Sequence, residues 1–405
     1  GFCNIKLNCK NNQESINFDT KWYPYNKGGQ WRKWYGNRDL VVNWGNQGED
    51  IHRFHGLPKY YNGAPVRAKK YQFKESITWS DIATTKFAAR YSPAGSMFDV
   101  KGSSAFMDKE KLNDVLALMC SPKIVEFMEM LNPSSTFQVG DIARVPFPKH
   151  GFGSEKINSN VAKAIDISKE DHDESELSFE FKANSLVSQK NYRSIKESFL
   201  ALGKKHEDRS ESLLFIEREN YSLICQDYGS LAKKMVAIED ISLNSNLYFN
   251  NKGDYSSAYE KYLTGIVADL ASYSVGCMVG RYSLDKPGLI LASQGETVRD
   301  YLAQIPKPSF AADHNAIIPL TDQEWFPDDA TNRFRDFVRT VWGEEHLQEN
   351  LDFVAESLCL HAIKPKKGEA ALETIRRYLS TQFFKDHLRT YKKRPIYWLF
   401  SSGKQ

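Results

Sequence analysis

Apolar positions recur at helical spacing in several stretches of the chain. Leu112, Val115, Leu116 and Met119 form one stripe and predict a helix over 109–119. Ser121 and Pro122 then read as N-cap and first helical residue of a second helix, with Ile124, Phe127, Met128 and Leu131 on its apolar face. Further on, the pattern predicts a buried helix over 255–278 and an amphipathic one over 331–342 with Phe334, Phe337, Val338 and Val341 inward. Helices over 346–358 and 370–391 follow, with a strand over 395–400. Before residue 109 the pattern is different. VVNW, ESITWSDI and the blocks of 86–106 read as short strands and turns broken by Pro93, Gly95 and Gly102. FQVGDIARVPFP (137–148) reads as a strand closing that module. The fold class expected is α+β: a mixed α/β module over 1–153, a polar, partly helical connector over 154–245, and a mainly helical region over 246–405.

The longest apolar stretch, 267–280, is interrupted by Asp269, Ser272 and Ser274 and falls short of the roughly 20 residues that span a bilayer, so no membrane partner is expected. The 405 residues leave room for about two or three domains. The six cysteines have no C-x-x-C spacing, which predicts a reducing, cytoplasmic setting.

Charge sharpens the division. The formal net charge is only +3, yet residues 1–100 carry 15 basic against 8 acidic side chains, while 151–260 carry 14 against 19. The basic excess coincides with a Trp-rich run, WYPYNKGGQWRKWYGNRDLVVNW. Cations release counterions when they neutralise phosphates, so this region is the part of the chain expected to meet a polyanion, and its residue types suit a nucleic-acid backbone. Lys27, Arg32, Lys33, Lys69, Lys70 and Lys86 are the expected phosphate contacts, with Gly28 and Gly29 permitting close main-chain approach. Arg67, Thr84 and Arg90 are candidates for reading base edges. Lys392, Lys393 and Arg394 offer a second backbone contact, whereas Arg333, Arg335 and Arg339 share a helix with Asp336 and are expected to pair within it. The competing expectation is that the tryptophans form the module's own core, with the cations snorkelling around them.

Other chemistries lack support. Neither G-x-x-x-x-G-K-[ST] nor G-x-G-x-x-G occurs. His52 and His55 have no third ligand nearby in sequence, so no metal is expected. Glu180-Phe181-Lys182 has the form of a nuclease half-motif but reads better as a solvated strand.

The blocks KWYPYNKGGQWRKWYGNRDLVVNW, ITWSDI, 89–106, NPSSTFQVGDIARVPFP, SYSVGCMVGRYSLDKPGLI, 324–358 and YKKRPIYWLFSSGK resemble the target-recognition part and following helices of the adenine-N6 DNA methyltransferases of BREX phage-defence systems, the PglX family. The resemblance implies S-adenosylmethionine as cofactor of the parent enzyme, double-stranded DNA as partner, and self-marking of host DNA in phage exclusion. The family's [DNS]-P-P-[YF] motif is missing, because no two of the 15 prolines are adjacent. NPSS at 132–135 does not replace it. The expectation is therefore a recognition fragment with no Rossmann-like catalytic domain, no catalytic residues and no cofactor of its own. Two alternatives remain: the recognition part of a fused restriction-modification enzyme, and a protein-docking scaffold for other BREX subunits or a phage-encoded DNA mimic.

Overall fold

Two sets of short strands carry the first third of the chain. The computed structural model describes residues 5–16, 20–82, 86–148, 152–189, 192–232, 235–249 and 254–401, and Thr84 lies outside them. Strands β1 (Trp22–Asn26), β2 (Val41–Asn43) and, later in the chain, β5 (Met97–Phe98) form one sheet in the order β2-β1-β5. β1 pairs antiparallel to β2 and parallel to β5. β3 (Ser76–Trp79), β4 (Ala89–Ser92) and β6 (Ser104–Ala105) form a second sheet in the order β4-β3-β6, both pairings antiparallel.

The chain divides into two compact units. The first comprises 1–172 and 208–246 and contains both sheets. Its main core joins Trp34, Ile77, Trp79 and Ala89 to the helix Lys109–Cys120, the helix Pro122–Leu131, and residues from Glu155–Asp173 and from the latter part of Ile195–Asp227. Leu112, Leu116 and Met119 are buried as their spacing requires, and Ser121 caps the second helix by accepting the Lys123 amide at 3.2 Å. A smaller core of Tyr23, Trp44, Val66, Phe73 and Met97 lies beside the first sheet. Three of the five amino-terminal tryptophans (Trp34, Trp44, Trp79) are thus core residues.

The second unit comprises 173–207 and 247–405. The helix Tyr255–Met278 packs against Ala330–Trp342 and Leu347–His361, and the last of these against Ala371–Tyr378. Phe334, Phe337 and Val338 are wholly buried, each contributing about 1.5–3 kcal/mol by removal from water. The expected long carboxyl-terminal helix is present as Ala371–Tyr378 and Phe384–Thr390, joined by a π-wound segment, Leu379–Phe383.

Three local expectations fail. Residues 137–148 form no strand. Thr136 bridges to Ile82, and the Phe137 amide donates to the Asp81 carbonyl at 2.7 Å. The Gln138 carbonyl then collects the amides of Asp141 and Ile142, winding the short helix Val139–Ile142, and Pro146 and Pro148 remove two ladder donors beyond it. Residues 395–400 also lack strand pairing among the described residues, since the Ile396 amide is taken by His387 Nε2 at 3.0 Å. Glu180 and Lys182 lie on irregular chain either side of the buried Phe181, which makes Phe181 an anchor of the second unit's core. The stretch read as a connector supplies buried residues to both units, because its charged positions lie on helices with a second, apolar face.

Among the described residues no helix is long and apolar enough to cross a membrane.

Candidate nucleic-acid interface

Burial separates the predicted cations into two populations. Lys33 follows Trp31 and Arg32 on the segment between β1 and β2, which runs alongside β4: the Trp34 amide donates to the Ala89 carbonyl at 3.0 Å, and the Tyr91 amide to the Trp34 carbonyl at 2.7 Å. This backbone pairing carries residues 32–34 into the first unit. Lys33 is only 6% exposed, and its ammonium pairs with Glu217, which also accepts Trp34 Nε1 at 2.8 Å. Burial pushes the Glu217 carboxyl up, while the Lys33 charge and hydrogen bond oppose that rise. The Lys33 amide donates to Ser242 Oγ at 2.8 Å. Arg32 spans the same neighbourhood, donating to the Ser242 carbonyl and to Asn244 Oδ1 and lying 3.8 Å from Asp171. Asp171 in turn accepts the Asn244 amide at 2.9 and 3.0 Å. Arg90 is 2% exposed; burial pulls its guanidinium down to about 10, and its Nε has no hydrogen-bond partner.

Lys33 and Arg90 are therefore buried and Arg32 is half-buried against its partners, so burial argues against the expectation that these three touch DNA. A buried ion costs several kcal/mol to desolvate, and the partners that offset this cost hold it in place. Glu217, Asp171 and Asn244 are distant in sequence, and no local pattern announced them.

Lys27, Arg67 and Lys70 are exposed. Lys27 directly follows β1. Gly28 (φ 76°) and Gly29 (φ 144°) follow it, but the close approach they permit is to the chain itself: a Cβ on Gly28 would lie 2.6 Å from the Lys101 carbonyl oxygen. Lys86 is half-exposed, 2.5 Å from Asp240 and 5.7 Å from the Trp31 ring. Lys69 is half-buried, which lowers its pKa; its ammonium donates to the Lys59 carbonyl at 2.8 Å and sits 3.2 Å from His52 Nε2. Lys70 lies over the Tyr71 ring at 4.8 Å. Arg53, Lys59 and Lys74, exposed on the same stretch, enlarge the basic surface.

In the second unit, Lys392, Lys393 and Arg394 are exposed at the end of the last helix, where Lys392 and Lys393 take left-handed backbone (φ 52° and 62°). Arg339 pairs with Asp336 at 2.5 Å, as the helical spacing predicts. Arg333 covers the Phe310 ring at 4.4 Å, and Arg335 reaches Glu324 at 4.0 Å.

A nucleotide-type cofactor would need a glycine cradle between a strand and a helix. Gly45 and Gly48 have that position after β2, but the space above them is filled. A Cβ on Gly48 would lie 2.8 Å from the Trp44 ring, and one on Gly45 3.3 Å from Lys21. These residues do not fit S-adenosylmethionine.

The chain is 42% identical over 393 residues to the adenine-specific methyltransferase BrxX of Escherichia coli O9:H4 (strain HS), covering 96% of this chain and 32% of that protein. It is 35% identical over 418 residues to the adenine-specific methyltransferase PglX of Lacticaseibacillus casei (strain Zhang), covering 99% of this chain and 32% of that protein. The chain thus spans about a third of the length of these curated relatives. Over nearly its whole length the chain is thus similar to part of two PglX-family adenine-specific methyltransferases. No family model matches the chain.

Proposed function

We propose that the chain is the DNA-recognition part of a site-specific, S-adenosylmethionine-dependent adenine-N6 DNA methyltransferase of a BREX phage-defence system, one that marks host DNA as self. The observation that carries this reading is the identity to two adenine-specific methyltransferases over nearly the whole chain. The same names favour it over a restriction-modification fusion or a docking scaffold. The exposed cations, together with the half-buried Lys69, supply the physics. Lys27, Lys69, Lys70 and Lys86, with Arg53, Lys59 and Lys74, neutralise phosphates and set the register of the duplex, and Arg67 is the remaining candidate for pairing with a guanine edge. Thr84 stays a candidate base reader. Lys392, Lys393 and Arg394 hold the backbone from the second unit. Methyl transfer belongs to the parent enzyme, and the residues described here hold and select the duplex. Other BREX subunits and a phage DNA mimic are further partners in this reading; a mimic would compete for the same cations.

Fluorescence anisotropy of the 405-residue chain with a labelled duplex tests this. Affinity is expected to fall steeply with salt, and Lys27→Ala and Lys70→Ala should each lower the log–log slope by about 1, whereas Arg67→Ala should cost about 1–3 kcal/mol on the preferred duplex and relax specificity. Absence of binding at low salt would overturn the reading.

A further inference from the structure

Within the first unit, the stretch 51–61 displays two aromatic rings that the fold leaves uncovered. Ile51 and Tyr61 at its two ends pack against the smaller core of Tyr23, Trp44, Val66, Phe73 and Met97. Between them, Phe54 is 85% and Tyr60 87% exposed. The loop that carries them is not slack. The Leu57 amide returns to the His52 carbonyl at 2.8 Å, Gly56 to Arg53 at 3.2 Å, and Tyr61 to Pro58 at 2.9 Å. The Lys69 ammonium bonds the Lys59 carbonyl and adjoins His52, so the following basic segment is tied to the same loop. Two large exposed rings on an anchored loop, beside the exposed Lys59, the half-buried Lys69, and Arg53, whose guanidinium also pairs with Asp50 at 2.5 Å, differ from the single exposed apolar residues common on any surface.

The geometry points to Phe54 and Tyr60 as base-contacting rings that enter or stack on a distorted step of the duplex, while the surrounding cations hold the flanking phosphates. This rests on the DNA reading above and deepens it. Charge complementarity selects the occupant: a polyanion that also presents flat apolar faces satisfies both rings and cations, and unstacked DNA is such a ligand. A ring inserted at a step offsets the unstacking that bending or extruding a base requires.

The test compares the 405-residue chain with Phe54→Ala, Tyr60→Ala and the double variant on two labelled duplexes, one intact and one with a single abasic site. Both side chains are exposed, so the variants retain the fold, and circular dichroism checks this. Stacking on one base is worth about 5- to 150-fold in affinity. The parent chain should therefore bind the abasic duplex several-fold more tightly, because its step is already open. The double variant should lose that preference and roughly tenfold in affinity, with its salt slope unchanged, and Phe54→Trp should retain both. Parent binding with equal affinity in the double variant overturns the role of the rings and leaves the DNA reading standing. A variant that changes only the salt slope also overturns it, since the rings would then act through the cations. No binding of either duplex by the parent chain removes the DNA reading itself.

Discussion

Lys33 and Lys27 are six residues apart in one basic run, yet they have opposite destinies. Lys33 is buried against Glu217, whereas Lys27 is exposed. Removing one partner of a buried pair leaves the other charge uncompensated, so Lys33→Met should lower stability by about 3–5 kcal/mol in urea unfolding. Its effect on DNA affinity, measured where the variant is folded, should carry no change in salt slope. Lys27→Ala should do the reverse, leaving the unfolding midpoint within about 0.5 kcal/mol of the parent and reducing the slope. Cys120 shares the same interior: its Sγ donates to the Ala89 carbonyl at 3.2 Å, and burial pushes the thiol up to about 12. It is expected to resist alkylation in the folded chain, which mass spectrometry after iodoacetamide treatment would check. None of these distinctions was legible in residues 27–33, because residue type specifies a charge while its burial depends on segments some 180 residues away.

At the scale of elements, the helix Ala330–Trp342 shows how a local signal and a distant partner combine. Asp329 is its N-cap, accepting the Thr331 amide at 2.9 Å. The same carboxylate, fully buried, accepts Arg376 Nη1 from Ala371–Tyr378 at 2.8 Å. Burial alone would push the carboxyl up, but the Arg376 bond and the amides of Thr331 and Thr321 hold it below its usual value of 3.8. A depressed folded-state pKa contributes stability that is present above the unfolded value and is lost as pH falls through the folded one. Asp329→Asn should therefore flatten the acid limb of stability below about pH 4, relative to the parent. Asp329→Ala, which removes the cap and strands Arg376, should cost about 2–4 kcal/mol at pH 7 in denaturant titration. The helix itself was legible, since Phe334, Phe337 and Val338 fall on one stripe; the cap's second bond was not. Where the pattern misled, as in 137–148, alternating apolar residues resembled a strand, but proline removed ladder donors and Gln138 captured two amides for a helical turn.

Across the whole molecule, a chain of near-neutral charge carries its basic excess on the first hundred residues, and burial removes part of that excess from solvent. The phosphate contacts open to it are fewer than the sequence count, so its salt slope should fall well below that of a protein using all thirteen cations of 21–90. The 405-residue chain supplied with S-adenosylmethionine and duplex DNA is expected to transfer no methyl group in a tritium assay, given the absence of any Pro-Pro pair and the filled space above Gly45 and Gly48.

The sequence by itself determined the α+β class, most helices of both units, the capped turn at Ser121-Pro122 and the family resemblance, because helical periodicity, capping chemistry and long specific blocks are local properties of the chain. The tertiary structure alone decided which cations reach solvent, which tryptophans are core, and that Gly28 serves the chain's own close approach. Those outcomes depend on Glu217, Asp171, Asn244 and the Lys101 carbonyl meeting partners across long sequence separations. Desolvation then acts on each charge according to where it lies, so identical residue types become a buried ion pair at Lys33 and an exposed contact at Lys27.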